Sequence, residues 1–309
     1  MKAIKDFRRD TPPMTAAAGN AARGRLLAAA LEPERRRAPR LGWRLAVAAA
    51  LAVTVGTGVV VARDQPRTTP VASVSELGER AARAAYDDRG QVPSAGQWLY
   101  IRELQAPQSA DGGYGVDVSR RVVWEQWTSV DGKQVAALYP DGRLLVQGNH
   151  PGLGAADLGR APVTPESVLA MIRQKLEGME WVVDGPQTPP SAEEQLFQAV
   201  YQLMGTQALP PEVRAALFRG LATIPGVRVA TEVADADGRR GVAFSYTGES
   251  ARYDLILDPV DYRFLGTSGV QTKGYTGVAD VKGGTIAAGT PLTLTARLEA
   301  RIVDGPGQR

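Results

Sequence analysis

Apolar residues follow three different spacings along this chain. Residues 45–62, LAVAAALAVTVGTGVVVA, form an eighteen-residue run without a charge. At about 1.5 Å per helical residue the run reaches roughly 27 Å, close to the ~30 Å hydrocarbon core of a bilayer, and it predicts one membrane-spanning helix. From Gly96 the pattern becomes alternation rich in aromatic and β-branched residues, which predicts strands at 97–104, 121–130, 133–139 and 143–147. The turns Asp131-Gly132 and Pro140-Asp141-Gly142 separate the last three as hairpins, because the favoured two-residue turn needs positive φ at both central positions.

A helical spacing takes over at Thr164-Pro165-Glu166, where Val168, Leu169, Ile172 and Leu176 share one face. Ser191 with Glu194 reads as a capping box before Leu196, Phe197, Val200, Leu203 and Met204. Pro210-Pro211-Glu212 opens a further helix with Val213, Leu217 and Leu221, and Ile224-Pro225-Gly226 ends it. Alternation then returns at 227–233, 241–246, 251–257, 262–267 and 292–303. Strands joined by tight turns, with amphipathic helices clustered between them, predict an α+β fold: antiparallel sheet in two β groups flanking an inserted set of helices, preceded by a single transmembrane helix.

Charge divides the chain in the same place. Residues 1–44 hold eleven Lys and Arg against four Asp and Glu, whereas the remainder holds 25 basic and 29 acidic residues, so a pI near 9.2 hides two unlike parts. Arg35, Arg36, Arg37, Arg40, Trp43 and Arg44 flank the apolar run on one side and Arg63 on the other, so the positive-inside bias puts the amino terminus in the cytoplasm. The expected organisation is a basic cytoplasmic tail at 1–44, largely disordered with one short alanine-rich helix, a transmembrane helix at 45–62, a stalk and helix at 63–91, and an extracytoplasmic domain at 92–309. A capping box at Ser73 and Glu76 starts the helix that follows the stalk.

Other readings of the run are a cleaved leader ending near Val60-Val61-Ala62 and a buried soluble helix; a 44-residue head is long for a leader, which favours a retained anchor. The tail is expected to lie against anionic lipid, each surface-near basic residue adding ~1 kcal/mol. It shows no helix-turn-helix pattern or aromatic interleaving, so no direct nucleic-acid binding is expected. Ala52 with Gly56 and Thr54 with Gly58 have the spacing of a close helix pair, or are ordinary small residues of an alanine-rich span.

The chain has no cysteine, which excludes disulfides, thiolate zinc sites and cysteine nucleophiles. His150, the single histidine, sits in the loop Asn149-His150-Pro151-Gly152 and reads as a surface residue. The run from Gly152 to Asp157 breaks the dinucleotide fingerprint at its third glycine. Asp235, Asp237 and Gly238 precede Arg239 and Arg240 where a calcium loop would need acids, so a hairpin turn is the better reading. No catalytic residue, metal site or cofactor is expected. The one feature with ligand content is aromatic: Trp98 and Tyr100 share a strand face, and Trp124 and Trp127 fall on opposite faces, so they either line a cavity or fill a sheet-helix core. A half-open sheet with helices across its concave side is the layout of periplasmic lipoprotein-carrier folds and could hold an acyl chain or peptide.

The stretch PPEVRAALFRGLATIPGVRVATEVADADGRRGVAF at 210–244, with ARYDLILDP at 251–259, GQWLYIRE at 96–103, ARGRLLAAAL at 22–31 and the closing VDGPGQR, resembles an actinobacterial family of uncharacterised single-span membrane proteins often encoded beside a sigma factor. The resemblance implies a cytoplasmic tail, one span and an exported α+β domain, with an envelope sensor or regulator role and a cytoplasmic regulator such as a sigma factor as partner. It brings no catalytic residues. The zinc-binding anti-sigma domain with its His and Cys ligands has no counterpart in this sequence, which argues against a direct anti-sigma role. The alternative function is a membrane-tethered carrier of lipid or another hydrophobic ligand.

Overall fold

The computed structural model describes residue 71 and residues 73–88, 93–109, 114–139, 141–149, 153–159, 162–177, 189–277 and 284–309, all within the unit Pro70–Arg309. The apolar run at 45–62, its flanking residues Arg35, Arg36, Arg37, Arg40, Trp43, Arg44 and Arg63, and His150 lie outside the described residues. Among those described, no helix is long and apolar enough to cross a membrane.

The first element among the described residues is helix α1 (Val74–Asp87), and Ser73 caps it by accepting from the Glu76 amide at 3.1 Å. The expected box closes only halfway, because the Glu76 carboxylate turns outward to Arg80. Leu77, Ala81 and Ala82 are fully buried, and Gly78 packs so closely on the Phe218 carbonyl that a larger residue would push the helices apart. The helix that sequence joined to the stalk therefore packs as part of the domain.

Strands β1 (Trp98–Gln105), β2 (Val122–Ser129), β3 (Gln134–Leu138) and β4 (Leu144–Gly148) form an antiparallel meander. Helices α2 (Ala155–Leu158), α3 (Pro165–Leu176), α4 (Ala192–Thr206) and α5 (Pro211–Leu221) follow. Of these, α2 is a single turn of helix. Thr164 and Ser167 make the reciprocal capping box of α3, with both side chains engaged across the turn. On α4 the Ser191 hydroxyl accepts from the Glu194 amide at 3.2 Å, but the Glu194 carboxylate is buried beneath Gly248. The second strand set is β5 (Val227–Ala234), β6 (Arg240–Thr247), β7 (Ala251–Leu257), β8 (Phe264–Gln271), the short pair β9 (Tyr275–Thr276) and β10 (Thr285–Ile286), and the long β11 (Pro291–Val303). Tyr262, expected as the first residue of a strand, instead takes φ +56° in the turn before β8.

The two expected β groups are one sheet. Its order is β4-β3-β2-β1-β11-β8-β7-β6-β5, with every pair antiparallel, and β11 joins the halves by pairing with β1 on one side and β8 on the other. Chain order hides this junction, because the strand that fuses the groups is the last one. The helices cover one face of the sheet, where Val242, Phe244, Tyr246, Leu255 and Leu257 meet Phe197, Val200, Leu217 and Leu221 in the main core. Alternation sends Ala243, Ile256 and Leu265 to the other face.

Candidate ligand-binding cleft

A cleft of about 1050 Å³ opens between the helices and the sheet. Its floor is Leu99 of β1 with Arg297, Ala300 and Ile302 of β11, and Met204, Leu209, Phe218 and Phe264 supply apolar walls. Its rim carries Arg80, Arg83, Arg214 and Arg263. Carboxylates hold three of these: Glu76 holds Arg80, Asp88 holds Arg214 at 2.8 Å, and Asp258 and Asp261 flank Arg263 at 3.5 and 3.3 Å. Asp87 in the same lining offsets the charge of Arg83, so the lip is close to electrical balance and not a cationic funnel.

A bulge in β11 builds the floor. Arg102 pairs with Glu299 and Glu103 with Arg297, which leaves Leu298 as an extra residue and shifts the alternation by one. Before the bulge Thr293, Thr295 and Arg297 face the helices; after it Ala300 and Ile302 do, opposite Ile101 and Leu99. One strand thereby gives the cleft both a guanidinium and an apolar surface. Arg297 donates from Nε to Glu103 Oε1 at 3.1 Å, and the pair is almost enclosed, with side chains 13% and 10% exposed. Burial pulls the Arg297 pKa below its ordinary value, opposed by Glu103.

The four aromatic residues read as lining a cavity or filling a sheet-helix core stand away from the cleft. Trp98, Tyr100 and Trp127 gather with Ala136 and Val303 on the sheet face away from the helices. The rings of Tyr100 and Trp127 are 5.3 Å apart, since these residues are direct cross-strand partners. Their polar ends are satisfied: Trp127 Nε1 donates to the Gln308 carbonyl at 2.6 Å, and Tyr100 Oη donates to Glu125 Oε1 at 2.6 Å. Burial pushes the Tyr100 phenol up to about 12. Burial also works to raise Glu125, but hydrogen bonds from Tyr100 and Arg309 outweigh it and hold that carboxyl below its ordinary range. Trp124 occupies the opposite face of β2, as its spacing requires, and meets Tyr139 edge-on at 6.5 Å. None of these four residues lines the cleft.

Asp235 makes the expected hairpin turn, accepting from the amides of Asp237 and Arg239 at 2.9 and 3.0 Å. Among the described residues no group of three or more His, Asp or Glu is placed to hold a metal ion. Sequence reasoning missed Arg297 because Leu292 to Ile302 alternates without interruption, so its polar phase reads as solvent-facing. Comparison of the chain with family models, with curated proteins and with solved structures finds no match in any of the three.

Proposed function

We propose that this chain is a non-enzymatic, single-pass membrane protein whose exported domain binds a hydrophobic ligand in the cleft and acts as an envelope sensor or regulator. The observation that supports the reading is a cavity of about 1050 Å³ with apolar walls and a charge-balanced lip, at the upper end of the ~300–1,000 Å³ usual for small-molecule sites. In this reading residues 45–62 anchor the chain in the bilayer, and the basic tail at 1–44 docks on a cytoplasmic regulator such as a sigma factor. The ligand enters from the envelope side, where a lipid or lipidated peptide is at hand.

Native mass spectrometry of the full chain, released from the membranes of its own host, tests the binding half. A retained lipid adduct is expected, and a uniformly bare protein overturns it. Deleting residues 1–40 tests the signalling half, since unchanged transcription from the neighbouring sigma factor's targets would remove it. The same cleft also favours a tethered carrier. A carrier passes its ligand to acceptor vesicles, whereas a sensor retains it.

A further inference from the structure

The floor of the cleft holds one enclosed guanidinium with a donor to spare. Arg297 uses Nε on Glu103 and Nη2 on the Gly205 carbonyl, and its guanidinium carbon lies 4.9 Å from the centroid of the Phe264 ring. Glu103 is committed as well, since its second oxygen accepts from Gln105 Nε2 at 3.2 Å. That leaves Nη1 of Arg297 without a hydrogen bond to any described residue, on a side chain that lines the cleft.

We infer that Arg297 anchors the ligand by donating from Nη1 to an uncharged acceptor, the carbonyl of an acyl ester, in preference to the carboxylate of a free fatty acid. This rests on the reading of the cleft as a hydrophobic-ligand site. Glu103 already neutralises Arg297, so a second carboxylate beside the guanidinium leaves one net negative charge in a poorly solvated floor. The rim does not correct that excess, because Arg80, Arg214 and Arg263 have carboxylate partners of their own and Asp87 in the same lining offsets the charge of Arg83. An ester carbonyl gives up little hydration on entry and receives a charge-assisted hydrogen bond. Phe264, Met204, Leu99 and Ile302 then receive the chain beyond the ester.

Photo-crosslinking of the full chain in nanodiscs tests this, with a diazirine-bearing palmitic acid and its methyl ester supplied separately at pH 7. The ester is expected to label peptides containing Met204, Phe264 or Ile302 at least about tenfold more than the acid, a difference that corresponds to ~1.4 kcal/mol. Glu103→Gln removes the carboxylate while keeping its shape, and it should bring the acid to parity with the ester or above. Arg297→Lys keeps the ion pair but lacks Nη1, and should lower ester labelling several-fold. Equal labelling by acid and ester in the wild type overturns the inference whether or not the variants fold, and so does an unchanged ratio in a folded Glu103→Gln protein. Absence of cleft labelling by both probes overturns the underlying hydrophobic-ligand reading instead.

Discussion

Arg297 and Glu103 stand 194 residues apart in the chain and 3.1 Å apart in the fold. Their ion pair crosses the junction between the first and last strands of the sheet, next to the bulge that turns β11 over. Removing one partner leaves the other enclosed and uncompensated. Arg297→Met is therefore expected to lower stability by about 3–5 kcal/mol, read as a fall in the thermal midpoint of the detergent-solubilised chain. The double variant Arg297→Met with Glu103→Leu should recover much of that loss.

The seam between β8 and β11 is equally sensitive to volume. A Cβ on Gly266 would collide with the Thr295 carbonyl oxygen on the neighbouring strand, whereas one on Gly142 would meet nothing. Gly266→Ala is expected to cost about 1–3 kcal/mol through overpacking, measured by thermal or urea unfolding. Gly142→Ala, at φ +83° in an open turn, should cost about 1 kcal/mol from backbone strain alone.

The carboxyl terminus closes the outer aromatic cluster. Trp127 Nε1 donates to the Gln308 carbonyl, and Arg309 reaches Glu125 at 2.8 Å. Truncation after Val303 should red-shift the tryptophan emission and raise its quenching by acrylamide, and neither change should occur in a Trp127→Phe background. The substitution alone should cost about 1–2 kcal/mol for the lost hydrogen bond and the small cavity.

Glu194 makes stability depend on pH. Burial raises its pKa from the ordinary 4.5; the Glu249 amide opposes this by hydrogen bonding, while the Glu249 charge adds to it. A carboxyl whose pKa is higher folded than unfolded binds its proton more tightly in the folded state. Its contribution is full below the unfolded value and is lost as pH rises through the folded value. Glu194→Gln should flatten this part of the profile. The stability difference between variant and wild type should shift in the variant's favour from pH 4 towards neutrality, then level off.

The cysteine-free sequence allows a clean topology test. Single cysteines placed at Ala17 and at the exposed Ser119 are expected to differ in intact cells. A membrane-impermeant maleimide should label the second, and label the first only after lysis. Equal labelling would remove the single-span arrangement.

Local physical chemistry settled much of the architecture in advance. Pro165, Ser191 and Pro211 begin or cap helices where capping preferences place them, and the apolar face Val168, Leu169, Ile172 and Leu176 is the buried one. Asp131-Gly132 and Asp237-Gly238 turn hairpins because each glycine sits at positive φ, +73° and +80°. These are properties of a few neighbouring residues, and a sequence carries them openly. The likeness of Trp98, Tyr100 and Trp127 to ligand-binding aromatics came from the same local reading. It could not show that the Gln308 carbonyl would take the Trp127 indole N–H and that Glu125 would take the Tyr100 hydroxyl.

What tertiary structure decided is which distant segments share an edge. Periodicity marks 292–303 as a strand but is silent about its neighbours, and its place between β1 and β8 fuses two groups into one sheet. The bulge at Leu298 arises in the pairing with β1, and it puts Arg297 on the same face as Ala300 and Ile302, which uninterrupted alternation would have kept apart. The sequence by itself determined elements, turns and the division of charge about the apolar run, because these depend on spacings of a few residues. The cleft and its buried guanidinium belong to the tertiary structure, because they exist only where residues nearly two hundred positions apart are brought face to face.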